Sequence, residues 1–348
     1  MTNKILTILV LLLLAWNIFL TSELSIIKNS QYSDSDLVTV EVDGISTDFT
    51  KIVEENRNAV CAISADGNIS SGFAYSQIGS DVYVVTSYHG VAGAMRVDVI
   101  FNNNYRVTSE IIGYDPYSDL AVLVLSSPYE MPTIAKGNSE TLKAGEFLIA
   151  IGTKGTADTA NSVELGMVSY RLRTILNSIM IEDYYQEYYS SLIQLTASLQ
   201  KGYSGAPLFN MNGDVVGIVT MAKDNENIYA FPIDEASYII ENIINDTDNK
   251  KVNLGIKGSF LSQMPTYQRS SLSIRIDEIE GLYVEKMTAS SRAALYGIKE
   301  RDIILSINDV ILHSNTDLLK VLYSGAETFD FKILRDNETI SLSGIAHD

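Results

Sequence analysis

Three side chains, far apart along the chain, could together perform nucleophilic catalysis. His89 closes a strand-like run (VYVVTSYHG), Asp119 opens another (SDLAVLVL), and Ser204 sits in KGYSGAP, with glycines two residues before it and one after. A serine hydroxyl is a weak nucleophile at neutral pH. It needs a base within hydrogen-bond reach, and the base needs an anion to fix its tautomer and stabilise its charged form. The chain has three histidines, His89, His313 and His347, and His89 alone precedes residue 247, so it is the one imidazole the region around Ser204 can use. Gly202 permits a turn in which its own amide and that of Ser204 converge on a developing oxyanion, while Gly205 frees the departing strand. Singly these signals are commonplace, since strand-end histidines and turn aspartates are usually structural and G-x-S-G recurs in β proteins. Their order and shared setting give them weight.

The setting is a succession of short β-rich runs separated by Gly, Asn, Asp and Ser. NAVCAIS, SGFAYS, DVYVVTS, RVDVIF, RVTSEIIG and DLAVLVL predict one small antiparallel barrel. GEFLIAIG, VELGMVSY, SLIQLT, GAPLFN, DVVGIVTM and IYAFP predict a second. Between Asp234 and Asn245 the spacing of Ala236, Ile239, Ile240, Ile243 and Ile244 predicts a helix with acidic residues in its first turn. NDTDNKKV then reads as a linker to a third, mixed α/β unit of LGIKGS, LYVEKM, SSRAALYG, DIILSIND, NTDLLKVLYSG, TFDFKILR and TISLS. The chain order His, Asp, Ser is that of two-barrel chymotrypsin-like proteases, whereas α/β-hydrolases run Ser, acid, His.

Composition narrows the field further. The 348 residues are 46% apolar and 20% charged, which describes globular protein rather than a disordered or fibrous chain. A net charge of −18 disfavours attraction to phosphate backbones, so nucleic acid is not an expected partner. The single cysteine, Cys61, excludes an intrachain disulfide and a thiolate-rich metal site, and the chemistry above needs no metal or organic cofactor. ILTILVLLLLAWNIFLT, residues Ile5 to Thr21, follows a short head containing one lysine. It lacks a small-residue cleavage site and places Trp16 where a membrane interface would lie. It reads as a signal anchor, with a cleaved signal peptide as the alternative. The expected organisation is an anchor over residues 1–23, a polar tether over 24–47, a protease domain over 48–246, and a linker and third domain over 247–348.

The motifs also carry a family resemblance. VVTSYHGVAGA, DPYSDLAVL and QLTASLQKGYSGAPLFN resemble the histidine, aspartate and serine segments of the HtrA (Deg) serine proteases, and with the third unit the similarity runs from about Asp48 to Ser343. The resemblance implies a mainly β fold, a chymotrypsin-like double barrel followed by an α/β PDZ domain, behind the hydrophobic anchor helix. It implies His89 as general base, Asp119 as its orienting acid, Ser204 as nucleophile and the amides of Gly202 and Ser204 as oxyanion hole. LGIKGS and the segment from Gly281 to Val310 are similar to the family's PDZ domain, which takes a peptide carboxy terminus by adding it as a strand. The matching loop is Leu254, Gly255 and Ile256, and Asn315 to Leu322 would form the opposite wall. A single PDZ behind an anchored protease resembles the DegS-like branch, which implies a homotrimer at the inner membrane, its catalytic domain in the periplasm or extracytoplasmic space, acting on tethered or unfolded proteins under stress. The segment between Tyr170 and Leu192 falls at that branch's sensor loop, with Arg171 and Arg173 as relay candidates and Tyr184, Tyr185, Tyr188 and Tyr189 as an aromatic cluster. Tyr203, Ala206 and Thr196 depart from the family pattern, as does TKGTAD, and a protease fold that has lost catalysis and acts as a peptide-binding scaffold is the alternative reading.

Overall fold

The computed structural model describes residues 49–345, apart from 103–104, 157–160, 182–183, 198, 221–227, 246–251, 265, 273–279 and 289–290. The expected anchor and tether, and the expected boundary near residue 246, lie outside the described residues. Among the described residues no helix is long and apolar enough to cross a membrane.

A short helix, α1 (Phe49–Asn56), precedes six strands: β1 (Val60–Ala65), β2 (Asn68–Ile78), β3 (Asp81–Ser87), β4 (Val97–Phe101), β5 (Arg106–Asp115) and β6 (Leu120–Ser126). They close into an antiparallel barrel in the order β1-β2-β3-β6-β5-β4, which leaves no unpaired edge. The single turn α2 (Tyr88–Val91) interrupts the path between β3 and β4. Strand β6 is an apolar run because both its faces are covered. Ala121, Leu123 and Leu125 fill the barrel, whereas Leu120 and Val122 join Val60, Phe73 and Val85 in a second cluster outside it. Each such Val or Leu contributes about 1.5–3 kcal/mol relative to exposure.

The second barrel runs β10-β11-β12-β9-β8-β7, from β7 (Phe147–Gly152), β8 (Ser162–Ile181), β9 (Tyr184–Thr196), β10 (Pro207–Phe209), β11 (Val215–Val219) and β12 (Ile228–Pro232). Its outward Ile149, Ile151, Phe209, Ile218 and Phe231 meet the outward side chains of the first barrel, and Ile233, Ala236, Ile239 and Ile240 of helix α3 (Ile233–Ile244) pack into the same cluster. Both barrels and the helix are therefore as the sequence predicts. The segment after Tyr170 is different: instead of a loop it prolongs β8 and β9 into a hairpin paired from Arg173↔Leu192 to Ile181↔Tyr184.

The carboxy-terminal unit holds β13 (Ile256–Phe260), α4 (Thr266–Ser271), β14 (Leu282–Met287), α5 (Arg292–Leu295), β15 (Ile303–Ile307), β16 (Val310–Ile311), α6 (Asn315–Leu322), β17 (Thr328–Arg335) and β18 (Glu338–Ile345). Its sheet is ordered β13-β14-β15-β17-β18 with β16 beside β15, so β13 is an edge strand. Helix α6 serves two cores. Val321 and Leu322 belong to this unit's own cluster, while Leu319 and the following Tyr323 belong to the cluster between the barrels.

Candidate active site

The chain leaves β3 at Ser87 and coils at once into α2, so His89 stands in a helical turn just beyond the strand rather than closing it. Gly90 allows that turn to sit close to β2 and β3, since a Cβ there would lie 2.8 Å from Ser70 Oγ and 2.9 Å from Ser87 Oγ. Asp119 precedes β6 in the left-handed region, at φ +58°, a conformation that aspartate tolerates better than most residues. Its carbonyl accepts from Tyr88 N at 2.9 Å, which ties the two segments together. Its carboxylate then takes His89 twice, from the backbone amide to Oδ1 at 2.9 Å and between Nδ1 and Oδ2 at 2.7 Å. That hydrogen bond raises the His89 pKa above its ordinary 6.5, against the opposing effect of burial.

Thr220, immediately after β11, donates from Oγ1 to Asp119 Oδ2 at 2.8 Å. Sequence reasoning missed this residue, because nothing in its spacing links it to a carboxylate 101 positions earlier. Ser71 was missed for the same reason. Its amide donates to Ser204 O at 2.9 Å, and its hydroxyl donates to Gly202 O at 2.7 Å while accepting from Thr153 N at 2.9 Å. One serine of the first barrel thus staples both ends of the Gly202–Ser204 turn of the second.

Gly202, which opens that turn, has φ +106°, and Gly205, which follows it, has φ +84°. A Cβ on Gly202 would lie 2.5 Å from Thr153 O, and one on Gly205 would run into Ser71 O. Ala206, which departs from the family's second glycine, is outside the left-handed set and fully buried, so its methyl group is accommodated. Tyr203 is also buried, its ring lying where a side chain on Gly152 would be. Burial pushes its phenol pKa up. The Tyr203 carbonyl accepts from Ala206 N at 2.8 Å. Because a trans peptide sets its N–H opposite its C=O, the Ser204 amide points away from the turn.

His89, Gly202 and Ser204 line one cavity of about 440 Å³, whose apolar wall is Leu199, Val219 and Ile228. The structure thus brings His89 and Asp119 into contact and sets Ser204 and Gly202 on the same cavity. A direct bond between Ser204 Oγ and His89 is not among the hydrogen bonds of the described residues; what joins the two is the cavity they line. Among the described residues no group of three or more His, Cys, Asp or Glu side chains is placed to hold a metal ion.

The other expected site residues lie elsewhere. Leu254, Gly255 and Ile256 line a cavity of about 110 Å³ between β13 and α6, together with Thr174 and Tyr188 to Ser191 of the β8–β9 hairpin. Gly255 has φ +66°, and its carbonyl accepts from Thr288 N at 2.9 Å. Tyr188 reaches from the hairpin to Tyr117, two residues before Asp119, in an edge-on contact with ring centroids 5.2 Å apart. Arg173 is held within the hairpin, donating from Nη1 to Gln194 Oε1 at 2.7 Å. The side chains of Tyr184 and Tyr185 lie outside the described residues.

Comparison with known proteins agrees with this architecture. A trypsin-like peptidase domain matches residues 70–218. The chain is 30% identical over 322 residues to the serine protease Do-like HtrA of Lactococcus lactis subsp. cremoris, covering 88% of this chain and 77% of that protein. It is 32% identical over 292 residues to the corresponding protein of Lactococcus lactis subsp. lactis, covering 80% and 70%. Among solved structures, the HtrA-type protease AlgW with a tripeptide superposes with a TM-score of 0.60 at 22% identity, over 85% of this chain and 95% of that one. The serine endoprotease from Yersinia pestis superposes with a TM-score of 0.55 at 22% identity, over 87% and 98%. With a double chymotrypsin-like barrel and relatives of this similarity over most of its length, the chain belongs to the HtrA family of serine proteases.

Proposed function

We propose that the protein is an extracytoplasmic serine endopeptidase that cleaves unfolded or membrane-tethered polypeptides by an acyl-enzyme route. The observation that carries this reading is the 2.7 Å contact between His89 and Asp119 at the cavity that Ser204 lines. Ser204 Oγ attacks the scissile carbonyl carbon as its proton passes to His89 Nε2, and Asp119 remains a carboxylate that steadies the imidazolium. The amides of Gly202 and Ser204 receive the oxyanion. On collapse the C–N bond breaks and His89 returns the proton to the departing amine. Water, deprotonated by His89, then hydrolyses the ester and restores Ser204.

Residues 48–246 form the protease domain in this reading, and residues 247–348 the linker and a PDZ domain that controls it. The edge position of β13 and the left-handed Gly255 beside it suit the addition of a peptide strand with its carboxylate at Leu254, Gly255 and Ile256. AlgW, which shares this fold, has been solved with a tripeptide and with a decapeptide, and a peptide as ligand is in keeping with this reading. Residues 1–23 anchor the chain, by this reading, and three copies assemble. Amino-terminal sequencing of the mature protein and light scattering in detergent test those two points.

Ser204→Ala is expected to abolish hydrolysis of an unfolded test protein, a loss of up to about 10⁶-fold in turnover. Unchanged cleavage by that variant rejects the assignment. The scaffold alternative rests on Tyr203 and Ala206. Labelling by a fluorophosphonate, tried with and without carboxy-terminal peptides, separates the two because only an activated serine reacts.

A further inference from the structure

The cavity between β13 and α6 contains one feature supplied from outside its own unit. Glu235, in the first turn of α3 on the barrel side, lines it and is only 5% exposed. It is the single charged side chain among the described residues of the lining; the rest are apolar, hydroxyl or amide groups. Its Oε2 accepts a long hydrogen bond, 3.4 Å, from Asn315 Nδ2 at the start of α6.

Position along the groove follows from how α6 lies against β13. Val252, ahead of β13, donates to Leu322 O at the end of α6 at 3.2 Å, whereas Ser262, past the end of β13, donates from Oγ to His313 O just before α6 at 3.0 Å. The two elements therefore run antiparallel. A peptide added antiparallel to β13, with its carboxylate at Leu254 to Ile256, climbs toward Asn315. Seven helical residues separate Leu322 from Asn315, about 10 Å at about 1.5 Å each, and an extended chain covers that in about three residues at about 3.3 Å each.

Building on the peptide-groove reading above, we propose that Glu235 makes the groove selective for carboxy-terminal peptides carrying a lysine or arginine two or three residues before the last. A carboxylate already withdrawn from water loses little more solvation when a cation reaches it and gains a charge-assisted hydrogen bond. An acidic residue at the same point is repelled, and a methionine fills the space without the bond. The barrels thereby set the specificity of a groove that the third unit builds.

The test is fluorescence anisotropy with the full-length Ser204→Ala chain in detergent, which binds without cutting. The probes are labelled peptides ending in a free valine carboxylate, with Lys, Met or Glu at the second or third position before it. Lys is expected to bind about tenfold tighter than Met at one of those positions, with Glu weakest. Glu235→Gln should bring Lys and Met within twofold of each other. The peptide series on the parent chain stands without that variant should it fold poorly. If Lys, Met and Glu bind equally but carboxy-terminal amidation abolishes binding, the role of Glu235 is overturned and the groove survives. If no peptide binds, or amidation makes no difference, the groove reading falls and this inference with it.

Discussion

One carboxylate fixes both the orientation of His89 and its appetite for a proton, because Asp119 accepts from the backbone amide and from the ring of the same residue. The raised His89 pKa, caused chiefly by that ring hydrogen bond, has two consequences of opposite sense. As the proposed base, His89 must be neutral, so the acid limb of kcat/KM is expected above pH 6.5, the ordinary value, with activity climbing as pH rises through it. As a group whose folded pKa exceeds its unfolded one, it stabilises the fold most at low pH. That contribution is complete below the unfolded value and is lost as pH rises through the folded value. Asp119→Asn removes the raising cause. It should lower kcat by about 10⁴-fold and move the acid limb down, which a pH–rate profile on a short ester substrate records. An acid limb unmoved by the substitution would mean that another group titrates there.

At the scale of elements, the second barrel supplies the Gly202–Ser204 turn, which carries the proposed nucleophile, and the first barrel holds that turn through Ser71. Its contacts with Gly202 O and Thr153 N are made by a buried hydroxyl, so Ser71→Ala leaves two polar partners unsatisfied. A small displacement of that turn is expected to lower kcat by about 10²-fold. Ser204 labelling should slow in parallel and KM change little, a split that steady-state kinetics resolves. How far such features are legible in a sequence depends on what places them. His89, Asp119 and Ser204 stood out because each sits where a β run meets a turn, and those runs became β3, β6 and β10. Ser71 and Thr220 were invisible, since each earns its role from a partner 131 or 101 residues away. The hairpin beyond Tyr170 was unreadable for a different reason. Its apolar residues come in adjacent groups, Ile175 with Leu176 and Ile179 with Met180 and Ile181, so period-two alternation is lost, and register shifts between Val168 and Arg173 re-aim the strand.

Over the whole molecule, the barrels and the carboxy-terminal unit share side chains, and this decides how they unfold. Were the unit tethered only by its linker, heating would give two transitions, one for each core. Instead Leu319 and Tyr323, on a helix whose other residues complete the carboxy-terminal core, are buried in the cluster that joins the two barrels. Thr316 Oγ1 adds a hydrogen bond of 2.5 Å to Glu140 at the same junction. Melting the carboxy-terminal unit therefore strips apolar cover from the barrels. Calorimetry of the full-length chain is expected to show one cooperative transition for residues 48–348. Leu319→Ala should destabilise by about 2–5 kcal/mol, the cost of a cavity in a packed core. Its second effect is more discriminating. With the shared contact gone the two cores uncouple, and the single endotherm should broaden or split, whereas Val321→Ala, confined to the carboxy-terminal core, should not split it. Two separate transitions in the parent chain would show that the junction is too weak to transmit anything between the groove and Ser204. The proposed control of proteolysis by a bound peptide would then have to travel through the β8–β9 hairpin, from Tyr188 to Tyr117.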